Sequence, residues 1–211
     1  MSGFEGDHIL ITGASGAVGL QVTKRLIKQC YEVKGPRRLV LLVKDDTALN
    51  SGSKEFRKIT AELNGEYDFL RVETLDMCDP ARITQKFEKI MKQHFDGKLD
   101  KLIVCHGSVE EKGIYDSDIS DYDQYMNLNM RSYTHMVSLA VPFMKQVQNA
   151  SITILTSTQG FAPEPTATIS CTAHAMVHML IKAVALQVAY FKIRINGVAS
   201  GIINSNARVK S

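Results

Sequence analysis

A short apolar run, His8-Ile9-Leu10-Ile11-Thr12, passes directly into Gly13-Ala14-Ser15-Gly16-Ala17-Val18-Gly19, and the next stretch of chain reads as a helix. Three glycines in a loop mean little alone, but between a strand and a helix they admit few geometries. Gly13 permits a tight turn, Gly16 lets the backbone approach a pyrophosphate, and Gly19 lets the helix pack close to the sheet. Val18, Val22 and Leu26 then recur every fourth residue and mark a buried stripe. The free N–H groups of the first helical turn would meet an anion there. The turn therefore predicts a dinucleotide phosphate site built from Gly13, Ser15, Gly16, Val18 and Gly19.

Short apolar runs alternate with longer amphipathic stretches along the rest of the chain, the pattern of βα units and a parallel sheet. Strands are expected at about 8–12, 39–43, 68–75, 99–105, 151–156 and 193–199, and helices near 17–30, 53–63, 80–95, 121–147 and 166–190. Several strands, such as Leu39–Val43, are continuous apolar runs, as in strands covered on both faces. Asp79-Pro80 supplies an N-cap and a first-turn proline for the third helix. The expected fold is a doubly wound, Rossmann-like α/β sheet of about six strands with helices on both faces, in three α/β/α layers. With 211 residues, 45% of them apolar, the chain has material for one core, so a single domain over 1–211 is expected.

Composition narrows the function classes. A net charge of +3 with scattered basic residues, apart from a group at Lys34, Arg37, Arg38 and Lys44, does not predict nucleic-acid binding. Cys30, Cys78, Cys105 and Cys171 show no CxxC spacing and read as reduced core thiols of a cytoplasmic protein. The charged N-terminus does not read as a signal peptide, which makes the Asn149-Ala150-Ser151 sequon a coincidence. No run of about 18 uncharged apolar residues predicts a membrane span. His174 and His178 stand four apart, yet HAMVH lacks the glutamate of HExxH and no third ligand is evident, so no metal site is expected.

The order of motifs resembles the short-chain dehydrogenase/reductase family from residue 8 to about 205. Thr12-Gly13-Ala14-Ser15-Gly16-Ala17-Val18-Gly19 matches its TGxxGxxG turn. Leu75-Asp76-Met77 is similar to the segment whose aspartate binds the adenine amino group. Asp121-Tyr122-Asp123 with Leu128-Asn129-Met130 resembles the central-helix pattern, whose asparagine holds a water near the active site. Ile154-Leu155-Thr156-Ser157 resembles the strand that ends in the catalytic serine, and Ile195-Asn196-Gly197-Val198-Ala199-Ser200-Gly201 the sixth strand. The resemblance implies a nicotinamide dinucleotide cofactor, with Asp76, Met77, His106, Gly107 and Ser205 among its contacts. His106 follows a strand at the cofactor edge; a contact to ribose or nicotinamide and a solvated loop position are equally open.

The departures from the family bear on chemistry. Where it has Asn-Asn-Ala-Gly this chain has Val104-Cys105-His106-Gly107, and Ser200 stands where proline precedes Gly201. Counting from Ser157, the tyrosine of YxxxK falls on Ser170 and its lysine on His174. The chain ends ten residues after Gly201, so the family's substrate lid and seventh strand are not expected. Carbonyl reduction needs a proton donor to the developing alkoxide. A tyrosine of pKa ~10, lowered by a nearby ammonium, serves in the family. Serine is far too weak an acid, whereas His174, with an ordinary pKa of ~6.5, could substitute in a Ser170–His174 pair on one helical face. The candidate catalytic set is therefore Asn129, Ser157, Ser170 and His174.

The second strand ends in Val43-Lys44-Asp45, which puts Val43 at the family's NAD-selecting acid position and Lys44 at its 2′-phosphate-binding base position. Arg37 and Arg38 would add positive field if they reach that pocket. NADP is thus expected, with NAD the outcome if the register places Asp45 there instead. Three functions stay open: an impaired nucleotide-binding protein that binds, senses or assembles; an active NADP-dependent oxidoreductase using His174 or Cys171 as donor; and a structural subunit without nucleotide. The stretch from Cys171 to Phe191 carries one full charge, Lys182, and is apolar nearly all round. A homodimer through helices 121–147 and 166–190 is expected to cover its second side, the alternative being a neighbouring helix of the same chain.

Overall fold

A computed structural model describes residues 6–32, 38–44, 56–59, 69–108 and 112–203. Strand β1 (His8–Thr12) leads into helix α1 (Ala17–Glu32), followed by β2 (Arg38–Val43), β3 (Leu70–Thr74), α2 (Pro80–His94) and β4 (Lys101–Val104). Next come α3 (Ile119–Met126), a π-helical turn (Asn127–Arg131), α4 (Ser132–Met144), β5 (Ser151–Ser157), α5 (Thr168–Val188) and β6 (Arg194–Ser200). The six strands form one parallel sheet in the order β3-β2-β1-β4-β5-β6. The chain winds outward in two directions from β1 and β4, which opens a crevice at their C-terminal ends. This is the doubly wound fold expected from the sequence.

Side chains alternate across the pleat and build a core on each face. Ile9, Ile11, Leu39 and Leu41 pack with Leu20, Leu26 and Ile27 of α1. Leu10, Val40, Leu42, Leu102 and Ile152 pack on the other face with α2, α4 and α5. Asp79 caps α2 by accepting from the Arg82 N–H, with Pro80 in the first turn. Of the helix expected at 53–63, the described part is 56–59, where the fully buried Phe56 plugs into the α1 side of the sheet.

The single helix expected over 121–147 is interrupted. The Ser132 N–H donates to the Asn127 carbonyl, five residues back, so one extra residue is accommodated at 127–131. The wider turn frees the Tyr125 carbonyl to accept from Asn129 Nδ2 at 3.0 Å and leaves Asn129 1% exposed. A periodicity argument cannot see this, because the apolar spacing continues on both sides.

Helix α5 with its 3₁₀ extension, Thr168–Phe191, is long and apolar enough by length and composition to cross a membrane. Its Val177, Ile181, Val184 and Ala185 pack on the sheet core, whereas Met179 and Leu186 are 62% and 83% exposed. No neighbouring helix among the described residues covers that second side, contrary to the same-chain alternative.

Candidate active site and nucleotide cleft

The glycine turn is held by its own backbone. The Ala14 N–H donates to the Leu42 carbonyl, and the Gly16 N–H to the Gly13 carbonyl. Gly13 has φ of +65°, and a Cβ there would lie 2.5 Å from the His106 nitrogen. A Cβ on Gly19 would lie 2.1 Å from the Gly13 carbonyl oxygen, so the helix packs where only glycine fits. At Gly16 the nearest atom to a Cβ would be that same oxygen at 3.2 Å, leaving its outer side open. Open space over Gly16 at the N-terminus of a 16-residue helix is what a pyrophosphate requires, so the cradle fits a dinucleotide.

Two cavities meet over this turn. One, of about 430 Å³, is lined by Gly13, Val43, Lys44, Asp76, Met77 and Leu128. The other, of about 600 Å³, is lined by Val18, Asn129, Ser157, Gln159, Glu164 and His174. Ser15, Gly16 and Cys105 to Ser108 border both, which makes one continuous cleft across the sheet edge. Lys44 is exposed at the mouth, immediately after the last residue of β2. Asp76 Oδ1 accepts from the Cys78 N–H at 2.9 Å. Arg38 does not reach this end: it pairs with His8 at the opposite end of the strand, six residues or ~20 Å from Lys44. Arg37, Asp45 and Ser205 lie outside the described residues.

His106 borders both cavities but is not a solvated loop residue. Its ring is 7% exposed, with Nδ1 2.6 Å from Thr12 Oγ1 and Nε2 2.7 Å from Ser132 Oγ. The Ser132 hydroxyl donates to the Leu128 carbonyl, so it accepts from Nε2–H, and Nδ1 accepts the Thr12 proton. Burial pushes the pKa of His106 down to about 3. Gly107 brings the chain close to Asn129, whose Oδ1 accepts from the Ser108 N–H at 3.0 Å. A Cβ on Gly107 would meet that oxygen at 2.8 Å.

The residues at the family's tyrosine and lysine positions do not form a pair. Ser170 is 1% exposed and away from the cleft wall, between Tyr125 Oη at 2.9 Å and Gln159 Oε1 at 2.7 Å. His174 lines the larger cavity, but its Nδ1 is 3.0 Å from Thr156 Oγ1. His178 Nε2 lies 3.2 Å from the same hydroxyl, so the two histidines converge on Thr156. Burial pushes the pKa of His174 down to about 4, leaving it neutral at pH 7. Cys171 is buried, and its sulfur accepts from the Glu164 N–H at 3.3 Å. Ser157 stays at the cavity, where its hydroxyl accepts from the Gln159 N–H at 3.2 Å.

Three site residues escaped the sequence reading. Tyr125 stands four residues before Asn129, one helical turn away, which could have flagged it. Gln159 and Glu164 sit in the connection after β5, where no periodicity marks a residue as inward-facing.

Comparison with known proteins agrees with this geometry. The short chain dehydrogenase family matches residues 7–211. A tropinone reductase homolog from Datura stramonium is 30% identical over 198 residues, covering 93% of this chain and 68% of the relative. A 3-oxoacyl-[acyl-carrier-protein] reductase from Thermotoga maritima is 25% identical over 95% of this chain and 76% of its own. A short-chain dehydrogenase/reductase from Serratia marcescens superposes with a TM-score of 0.81 at 18% identity, covering 97% of this chain and 78% of that one. Through its glycine cradle, its sheet order and a family match that runs nearly end to end, this chain belongs to the short-chain dehydrogenase family, whose members bind a nicotinamide dinucleotide.

Proposed function

We propose that this chain is an NADP(H)-binding member of the family in which ordinary carbonyl reduction is impaired, and that it acts by binding, sensing or assembly. One observation carries the reading: the cradle for the dinucleotide is intact, while Ser170 is buried in a hydrogen-bonded chain away from the cleft. The cofactor, when bound, supplies hydride chemistry. The residues around it lack the matching proton donor. With a pKa of about 4, His174 is protonated at pH 7 in only about one molecule in a thousand. Lys44 at the mouth supports the 2′-phosphate assignment, and Asp76 on the same cavity wall supports an adenine amino contact.

Calorimetric titration with NADPH and NADH, followed by turnover assays on a panel of carbonyls, tests this. NADPH is expected to bind and turnover to stay near background. Lys44→Ala should weaken NADPH by roughly tenfold, about the 1.4 kcal/mol of one exposed charge–phosphate contact, and NADH by less. Equal losses would remove Lys44 from the assignment. Robust turnover that vanishes in His174→Ala would establish the active-oxidoreductase reading, and no binding of either nucleotide would leave a structural subunit.

The same proposal includes a homodimer through residues 121–147 and 166–190, as relatives in this family commonly oligomerise. The uncovered side of α5 presents Met179, Ala183 and Leu186, interrupted by Lys182. Sedimentation at micromolar concentration should give twice the 23.4 kDa of one chain. Leu186→Arg should yield a folded monomer, because Leu186 is 83% exposed in the single chain. Val184 is a poorer probe, since it packs on the core of its own chain. A wild-type protein that sediments as a monomer refutes the dimer.

A further inference from the structure

The larger cavity has an unusual charge balance. Among the described residues lining it, Glu164 is the one acidic side chain, and no lysine or arginine is present. His174, at the family's lysine position, is neutral at pH 7. A carbonyl substrate seeks donors and positive potential, and this wall offers a carboxylate.

Glu164 is held firmly. Its Oε2 accepts from Gln159 Nε2 at 2.9 Å, while Oε1 has no partner among the described residues. A carboxylate only accepts, so the Gln159 amide nitrogen must face it and Oε1 of Gln159 must face Ser170. That oxygen also only accepts, so the Ser170 hydroxyl donates to it at 2.7 Å, while the Tyr125 phenol, 2.9 Å from Ser170 Oγ, donates to the Ser108 carbonyl at 3.0 Å. The buried relay Ser170→Gln159 is thus polarised in one direction and ends on Glu164, with Tyr125 packed against Ser170. The backbone helps: Pro163 and Pro165 flank Glu164, and the Ala167 N–H donates to its carbonyl at 3.2 Å. In this arrangement Ser170 is the buried donor that fixes the Gln159 amide, which in turn positions an anion.

We propose that the cavity receives an organic ammonium ion, with the Glu164 carboxylate as its counter-ion and the Ser170–Gln159 relay as its positioning support. The inference deepens the proposed nucleotide-binding function, since the ligand would sit beside the bound nucleotide, and it can fail separately. A partly desolvated carboxylate of fixed position gives a charge-assisted hydrogen bond to a cationic N–H, and a neutral isostere forfeits it.

The test uses benzylammonium, benzyl alcohol and benzoate as probes at pH 7, each titrated by ligand-observed NMR with and without NADP⁺. Benzylammonium is expected to bind at least about tenfold more tightly than benzyl alcohol, and benzoate most weakly. Glu164→Gln should bring the amine and alcohol affinities together while leaving the thermal midpoint close to wild type. Ser170→Ala should narrow the gap in part and leave alcohol binding unchanged, a pattern that a purely structural role would not produce. Amine and alcohol binding equally to the wild type, a gap that survives Glu164→Gln, or no benzylammonium binding at tens of millimolar would each overturn the proposal. Loss of nucleotide binding with the amine preference intact would sink only the nucleotide reading, and nucleotide binding without an amine preference only this one.

Discussion

Acidification from about pH 6.5 to about pH 4.5 is expected to cost this fold several kcal/mol, although carboxylates begin to protonate only at its acidic end. Two buried histidines are responsible. His106 is sealed between Thr12, Ser132 and the edge of Tyr133, and burial holds its pKa at about 3. His174 lies against Thr156 with a pKa of about 4, lowered first by burial and then by His178. Both are neutral in the folded protein, while in the unfolded chain they titrate near ~6.5. Between those values the unfolded state binds more protons, so stability falls as pH falls. Each histidine contributes up to about 1.4 kcal/mol per pH unit in that window, and the pair up to about 2.7. Against a typical domain stability of ~5–15 kcal/mol this is a large share. Urea unfolding at pH 7, 6, 5 and 4.5 reads it directly. The midpoint should drop steadily below pH 6.5, and His106→Gln should reduce the slope by about half. A midpoint constant down to pH 4.5 would show that neither ring is held neutral.

Gly19→Ala is expected to be among the most damaging methyl additions at the described glycines, at ~3 kcal/mol or more, beyond the usual range for an added methyl in a packed core. The new carbon would lie 2.1 Å from the Gly13 carbonyl oxygen, 2.9 Å from its carbon and 3.0 Å from Ala14 Cα. All three are backbone atoms of the phosphate turn, so no side chain can swing aside. Relief requires α1 to move off the sheet, which opens the packing of Leu20 and Leu26 against Ile9 and Ile11. Gly16→Ala makes the informative contrast. Its methyl would meet only the Gly13 oxygen at 3.2 Å, so the fold should survive while the methyl intrudes on the nucleotide's approach. Thermal melts and NADPH titrations of the two variants should separate stability from binding. A near-wild-type midpoint for Gly19→Ala would show that the helix-to-sheet distance is not limited by this glycine.

The sequence read well where a local pattern has one physical meaning. The strand boundaries at 8–12, 39–43 and 151–156 came within a residue or so, because buried parallel strands are apolar runs bounded by turn residues. The Asp79-Pro80 start of α2 and the glycine turn were legible for the same reason, since backbone geometry there allows few residue types. The placement of Lys44 beside Asp76 and Met77 followed from sheet order, which the βα alternation already implied.

Side-chain direction was another matter. Ser170 and His174 are four residues apart on α5, and spacing allowed them to pair. The fold turned one toward Tyr125 and Gln159 and the other toward Thr156. His106 stood at the cofactor edge by sequence, yet two hydroxyls from β1 and α4, at Thr12 and Ser132, drew its ring inside. The π turn at Asn127–Arg131 and the inward-facing Gln159 and Glu164 had no signal in the chain at all. Sequence alone thus determined the sheet, the glycine cradle and the absence of tyrosine and lysine at positions 170 and 174, all of which rest on local backbone sterics and residue identity. Only the tertiary structure decided which polar groups meet, because hydrogen-bond partners tens of residues apart are chosen by the packing of helices on the sheet, to which local periodicity is blind.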